Sequence, residues 1–255
     1  MKAFVFSGGG AYAASEFGII KYILEKDYFD PSTDLAIGTS FGAISAGSLA
    51  LQFSDDTLVS ILMDFNQEVP TLLSGWSLAW SMISFPYTLG LANLEMILAP
   101  YFGGDTQNTS RSLITVSTDL TTFRPVYFTN TLRQLENISI LESLKVSKYI
   151  CVDGGIMDNF PVSLADGFDT VYAFGTPLGK YFDPTPTKNL QTYLSELLNG
   201  AIYRLNMESA RKMPLNVQFC PYTSHASNML DFSHYDADLE SGYKTAKAFF
   251  EKEKK

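Results

Sequence analysis

Short apolar runs and longer amphipathic stretches alternate along this chain. Ala3–Ser7 is an apolar run that leads into three glycines, which predicts a buried strand. Ala11–Lys26 follows with helical spacing, and places Phe17, Ile20, Ile23 and Leu24 on one face. Asp34–Thr39 predicts a second strand. Phe41–Gln52 predicts a helix whose Gly42, Ala43, Ser45, Ala46, Gly47 and Ala50 would let it lie close to a sheet. Leu113–Ser117, Val126–Thr129, Tyr149–Val152 and Thr170–Phe174 read as further strands, and Asp236–Lys252 as a closing helix. Strands alternating with helices predict a three-layer α/β/α sandwich with a mostly parallel central sheet. A chain of 255 residues fits one such domain over 1–255.

One stretch breaks the pattern. Val69–Leu94 carries no charged residue, and it contains Trp76, Trp80, Met82, Phe85 and Tyr87. Its length would suffice for a membrane span. However, Ser74, Gly75, Ser77, Ser81, Ser84, Pro86, Gly90 and Asn93 interrupt it, and no basic residue flanks it closely. No transmembrane span is expected. The expectation is an apolar cap or lid segment over 69–104, with ordinary core as the alternative.

Charge narrows the function classes. The net charge of −9 argues against nucleic-acid binding, which needs a basic face to neutralise phosphates. It also argues against docking onto anionic lipid by charge, so any contact with a membrane surface must rest on apolar groups. The two cysteines, Cys151 and Cys220, make no disulfide framework and have no metal-ligand spacing. They read as small buried hydrophobes. No metal and no cofactor is expected. The first residues do not form a signal peptide. The expected location is the cytoplasm, with leaderless export compatible.

Three glycine motifs carry the candidate chemistry. Gly38-Thr39-Ser40-Phe41-Gly42 is G-x-S-x-G between a predicted strand and a small-residue helix. In such an elbow the serine sits on a sharp bend with its hydroxyl free, and Gly38 and Gly42 relieve crowding on either side. The helix that follows points its positive end at Ser40. Gly8-Gly9-Gly10 follows the first strand, and adjacent glycine amides can converge on an oxyanion. Gly8-x-Gly10-x-x-Ala13 also fits a dinucleotide fingerprint. That motif wants an acid at the end of the second strand, where this chain has Gly38-Thr39-Ser40. Asp153-Gly154-Gly155 follows another predicted strand, which puts an acid at the sheet edge where such folds build their sites, with Gly154 and Gly155 permitting a tight turn.

Ser40 needs a base within hydrogen-bond reach. The order Ser40, Asp153, then His225 or His234 matches a serine, acid, histidine series. Against a triad, Ser40 follows only the second strand, whereas a hydrolase with that series has most of its sheet before the elbow. A Ser40–Asp153 dyad is the preferred reading.

These blocks together resemble the patatin-like phospholipase family. Ser7-Gly8-Gly9-Gly10, Gly38-Thr39-Ser40-Phe41-Gly42 and Asp153-Gly154-Gly155 are similar to its three motifs. The stretches Ser117–Phe128, Val152–Val162 and Asp231–Ala246 resemble its remaining blocks. The resemblance implies a patatin-like sandwich and a serine acyl hydrolase that cleaves lipid carboxylic esters. In that reading Ser40 is the nucleophile and Asp153 the base, an acyl-enzyme forms on Ser40, and the amides of Gly8, Gly9 and Gly10 form the oxyanion hole. Tyr12 stands where the family usually carries arginine or lysine. The alternatives are a lipid-binding relative without turnover and a Ser-His-Asp esterase.

The uncharged stretch generates a test. If Trp76 and Trp80 meet the lipid surface, replacing both with alanine weakens hydrolysis on vesicles by about tenfold. Turnover of a soluble short-chain ester and the melting midpoint should stay unchanged. Equal loss on both substrates with a lowered midpoint would mark them as core residues.

Overall fold

The structure is a computed structural model and describes residues 1–72, 91–103, 112–119, 121–129, 151–176, 200, 204, 206–211, 213–227 and 229–252. Strand β1 (Lys2–Phe6) opens the chain. A 3-10 turn over Gly10–Ala14 precedes helix α1 (Ser15–Glu25). The helical spacing from Ala11 onward therefore contains two elements, with the α-helix starting four residues later than its periodicity predicts. Strand β2 (Leu35–Thr39) and helix α2 (Phe41–Ala50) follow, then α3 (Asp55–Leu72) and α4 (Leu91–Phe102). The remaining strands are β3 (Ser112–Asp119), β4 (Arg124–Thr129), β5 (Cys151–Asp153), β6 (Thr170–Gly175) and β7 (Val217–Pro221). Helix α5 (Tyr235–Lys252) closes the described chain.

The strands make one seven-stranded sheet in the order β4-β3-β2-β1-β6-β7, with β5 also paired to β3. The central pairs β3-β2, β2-β1, β1-β6 and β6-β7 are parallel, while β4 and β5 run antiparallel to β3. Alternate residues of β1 face opposite layers, as the two-residue strand period requires. Phe4 and Phe6 enter the larger core with α1, α2, α3 and α5. Ala3 and Val5 enter a smaller one with Ile37, Val162, Ala165 and Ala173. Helical segments therefore cover both faces, as the alternating pattern predicts.

Helices α1 and α5 lie against each other over the larger core. Tyr172 of β6 meets Phe4 at 5.2 Å and Phe250 of α5 at 5.0 Å between ring centroids. The close approach of the two helices needs glycine: a β-carbon at Gly18 would come within 1.9 Å of the Leu239 carbonyl oxygen. Helix α3 buries Leu58, Ile61, Leu62, Phe65 and Val69, and α4 adds Ile97, Leu98 and Phe102 to the same core. These two helices hold both ends of the uncharged stretch. Trp76, Trp80, Phe85 and the rest of the expected cap between them lie outside the described residues. No described helix is long and apolar enough to cross a membrane. Cys220 is buried and free, and burial pushes its thiol up to about 12. The side chain of Cys151 lies outside the described residues.

The α1–α5 contact predicts that Gly18→Ala lowers stability by roughly 1–3 kcal/mol, the usual cost of overpacking. Urea unfolding measures it. An unchanged midpoint would mean that α5 does not sit against α1 at this position.

Candidate active site

The C-terminal ends of β1 and β2 and the end of β5 converge at one edge of the sheet. The register of β3 explains how. Residues Ser112–Val116 of β3 pair with β2, ending at Thr39↔Val116. Ser117–Asp119 then pair with β5, starting at Ser117↔Asp153. The two strands thus share one edge of β3 end to end, and Ser40 leaves β2 where Asp153 ends β5. The Ser40 hydroxyl donates to Asp153 Oδ2 at 2.6 Å. The other carboxylate oxygen, Oδ1, accepts from the Gly155 amide at 2.7 Å, so the carboxylate is held from both sides. Gly154 lies directly on β3, where a β-carbon would come within 2.3 Å of the Val116 carbonyl oxygen.

Ser40 has a positive φ of 55° and a ψ of −129°. Few non-glycine residues adopt this conformation, and it costs about 1–3 kcal/mol. Two close contacts show what enforces it. A β-carbon at Gly38 would lie 1.9 Å from the Gly42 carbonyl oxygen, and one at Gly42 would lie 2.6 Å from the carbonyl oxygens of both Phe6 and Ser7. The elbow folds onto itself and onto the end of β1, and side chains at these places would open it. Ser40 caps the N-terminal end of α2, where the Phe41 and Gly42 amides have no acceptor within the helix.

The glycine loop differs in one respect from the pattern expected of it. The Gly8 amide is occupied: it donates to the carbonyl of Asn159 at 2.9 Å. Of the three expected donors, Gly9 and Gly10 donate to no acceptor among the described residues. The Phe41 amide, which opens α2 directly after Ser40, lies outside the glycine run. Gly10 has a φ of 55°, and its neighbour Ala11 donates to the Met229 carbonyl at 2.7 Å. The loop carrying Met229 is clamped in turn by Asp231. That carboxylate accepts from the amide and hydroxyl of Ser227 at 3.0 and 2.6 Å, and from those of Ser233 at 3.2 and 2.5 Å. These bonds hold the Asp231 carboxyl well below the usual carboxylate range. Tyr12 sits near it: burial and then the Asp231 charge push the phenol upward.

Two residues that the motifs do not single out tie the loops together. Asn159, buried, donates from Nδ2 to the Gly8 carbonyl at 3.1 Å and to Asn206 Oδ1 at 3.0 Å. Thr39 donates from Oγ1 to the Asp158 carbonyl at 2.8 Å, linking the elbow to the loop after Asp153. The histidines take no part in the serine contact. His225 Nδ1 meets buried Asp238 at 2.9 Å, and no histidine stands between Ser40 and Asp153. Among the described residues no cluster of histidine, cysteine and acidic side chains could hold a metal ion.

Asp158 supplies a pH prediction. Burial raises its carboxyl to about 6, opposed by a hydrogen bond from Tyr127. The value in the fold lies above that of an unfolded chain, about 3.9. Its stabilising contribution is therefore complete below pH 4 and is lost as pH rises through about 6. Asp158→Asn should remove that loss. Discounted for partial exposure, its stability relative to wild type should rise by on the order of 1 kcal/mol between pH 5 and pH 8. Urea melts at the two pH values measure it, and parallel changes in both proteins would contradict a raised carboxyl.

The chain is similar in structure to VipD from Legionella pneumophila, with 13% sequence identity and a TM-score of 0.49 over 98% of this chain and 67% of that one. No curated protein matches the sequence. The family model described as patatin-like phospholipase matches residues 4–142, which include the glycine loop and the elbow. That match spans more than half of the 255 residues, and the chain belongs to the patatin-like phospholipase family.

Proposed function

We propose that this protein is a serine acyl hydrolase that cleaves lipid carboxylic esters through a Ser40–Asp153 dyad. The observation that carries the reading is the 2.6 Å contact between the Ser40 hydroxyl and Asp153 Oδ2, made from a strained elbow. The family match ends before Asp153, so the assignment of the base rests on this contact and on the motif around it.

In the first half-reaction Ser40 Oγ attacks the ester carbonyl while its proton passes to Asp153 Oδ2. Negative charge gathers on the carbonyl oxygen. We assign that charge to the Gly9 and Gly10 amides, with the Phe41 amide at the start of α2, since fixed backbone dipoles need no reorganisation. Collapse of the tetrahedral species breaks the bond to the alcohol, which leaves with the proton from Asp153, and an acyl group stays on Ser40. In the second half Asp153 takes a proton from water as the water oxygen attacks the acyl-enzyme, the new tetrahedral species collapses to release the carboxylic acid, and Asp153 returns the proton to the departing Ser40 oxygen. The carboxylate is exposed at the sheet edge, where both the alcohol and the incoming water can reach it. A lipid ester is the proposed substrate, met at a membrane surface through apolar contact, since the net charge of −9 opposes attraction to anionic lipid. The uncharged segment between α3 and α4 is the proposed lid.

Two variants test the dyad. Ser40→Ala should fold normally and lose at least ~10³-fold in ester hydrolysis. A fluorophosphonate should label wild type at Ser40 and label Asp153→Asn far more slowly, because the amide cannot take the proton. Peptide mapping of the adduct with a labelling time course is the measurement. Labelling of Asp153→Asn at the wild-type rate would remove Asp153 from the role of base.

A further inference from the structure

Two buried amides meet behind the glycine loop. Asn206 lies outside every motif block described above, in helical residues 206–211. Its side chain is 6% exposed and that of Asn159 is 3% exposed. Asn159 Nδ2 donates one N–H to the Gly8 carbonyl at 3.1 Å and the other to Asn206 Oδ1 at 3.0 Å. Both hydrogens of the amide are thereby used. In return the Gly8 amide donates to the Asn159 carbonyl at 2.9 Å. One residue thus holds Gly8 by both of its backbone polar groups.

Space is set as closely as the hydrogen bonds. A β-carbon at Gly8 would overlap Asn159 Oδ1 and lie 3.1 Å from Ser40 Cβ, so Gly8 is packed between the nucleophile and Asn159. A β-carbon at Gly155, whose amide bonds to Asp153 Oδ1, would lie 2.7 Å from the same Asn159 oxygen. The preceding residue, Asp158, accepts the Thr39 hydroxyl of the elbow on its carbonyl. Glycine loop, elbow and base turn therefore all bear on Asp158-Asn159. Gly8 is buried, whereas Gly9 and Gly10 are half-buried, and their amides donate to no acceptor among the described residues.

The chemistry of this anchor is specific. A carbonyl oxygen only accepts, so the Asn159 atom that faces Gly8 has to be a donor. Leucine at 159 would have similar bulk but would leave the Gly8 carbonyl without this bond. Asn206 takes the second N–H and so fixes the rotation of the amide. We propose that Asn159 and Asn206 form a positioning pair: Asn206 sets the plane of the Asn159 amide, and Asn159 holds Gly8 against Ser40 so that the Gly9 and Gly10 amides meet the developing oxyanion. Gly8 is then a fixed point of the loop rather than a donor to substrate. The role rests on the hydrolase reading above. Small displacements between nucleophile and oxyanion donors are costly, since a 1 Å misplacement can lose about 10²-fold in rate.

The test compares Asn159→Leu, Asn206→Ala and the double variant with wild type and Ser40→Ala. Melting curves are recorded for each, and kcat and KM for p-nitrophenyl butyrate are taken well below every midpoint. The inhibition constant of a short alkyl trifluoromethyl ketone is measured alongside, since addition of Ser40 Oγ to that ketone places a negative oxygen where the oxyanion forms. Folded Asn159→Leu should lose roughly tenfold or more in kcat with KM nearly unchanged, and the ketone should bind more weakly by a similar factor. Asn206→Ala should shift kcat and ketone binding in the same direction by about threefold or more. The double variant should be no worse than Asn159→Leu, because Asn206 acts only through Asn159. If leucine prevents folding, Asn206→Ala decides by the same two readouts. Unchanged kcat and ketone binding in folded Asn159→Leu or in Asn206→Ala, or a double variant that multiplies the two losses, would each overturn the proposal. Hydrolysis absent from wild type, or surviving Ser40→Ala, would instead overturn the hydrolase reading. Hydrolysis lost in Ser40→Ala but intact in folded Asn159→Leu overturns the positioning role alone.

Discussion

The arrangement depends on one edge of β3 serving two strands in succession. Strand β2 occupies it up to Val116, and β5, running the other way, occupies it from Ser117. Two chain ends therefore meet head-on against a common template. Ser40 and Asp153 are 113 residues apart in sequence, and bringing such distant groups together carries a closure entropy that any loop contact would have to overcome alone. Here ladder hydrogen bonds do it, and the side-chain contact of 2.6 Å is a consequence of register. A slip of β5 by one residue would turn Asp153 to the opposite face of the sheet.

Register brings the pair together but does not aim it. The aim comes from a strained residue surrounded by contacts that leave it no alternative. The elbow is pressed between its own Gly42 carbonyl and the end of β1, and Thr39 and Asn159 bind the elbow and the glycine loop to the loop after Asp153. Strain of about 1–3 kcal/mol at Ser40 is small beside the burial of Phe4, Phe6, Phe17 and Phe41 around it, each of which contributes roughly 1.5–3 kcal/mol. The core thus supports a conformation that the local sequence would not adopt by itself.

What could be read from the sequence follows from range. The elements β1, β2 and α2 and the three glycine motifs are local patterns, and they fall where the hydrophobic spacing puts them. Strand β7 does not announce itself: Val217–Pro221 is half-exposed at a sheet edge and ends in proline, so it lacks the continuous apolar run of an interior strand. The contacts of Asn159, Thr39 and Glu16 are equally hidden. Each touches residues far away in sequence, with separations of 151 for Asn159 and Gly8 and 206 for Tyr222 and Glu16. The occupied Gly8 amide belongs to the same class. A run of three glycines shows that backbone donors can converge, and only the fold shows which of them another carbonyl has already taken.

The carboxyl groups near the site illustrate how environment divides roles among chemically identical side chains. Asp231 is wrapped in four donors and serves as a fixed anion that holds a loop. Asp158 is partly sealed and drawn towards its neutral form. Glu16 is wholly buried, with the Tyr222 hydroxyl on one carboxyl oxygen. Only Asp153 combines direct contact with Ser40 with exposure at the sheet edge. A base that accepts a proton, hands it to a departing alcohol and then takes another from water must be reachable at each step. Among these four acids the fold grants that access, together with the 2.6 Å contact to a nucleophile, to one. His225 is committed to buried Asp238, and among the described residues no hydrogen bond joins His225 or His234 to Ser40 or Asp153, so the route proposed for the Ser40 proton is the direct one.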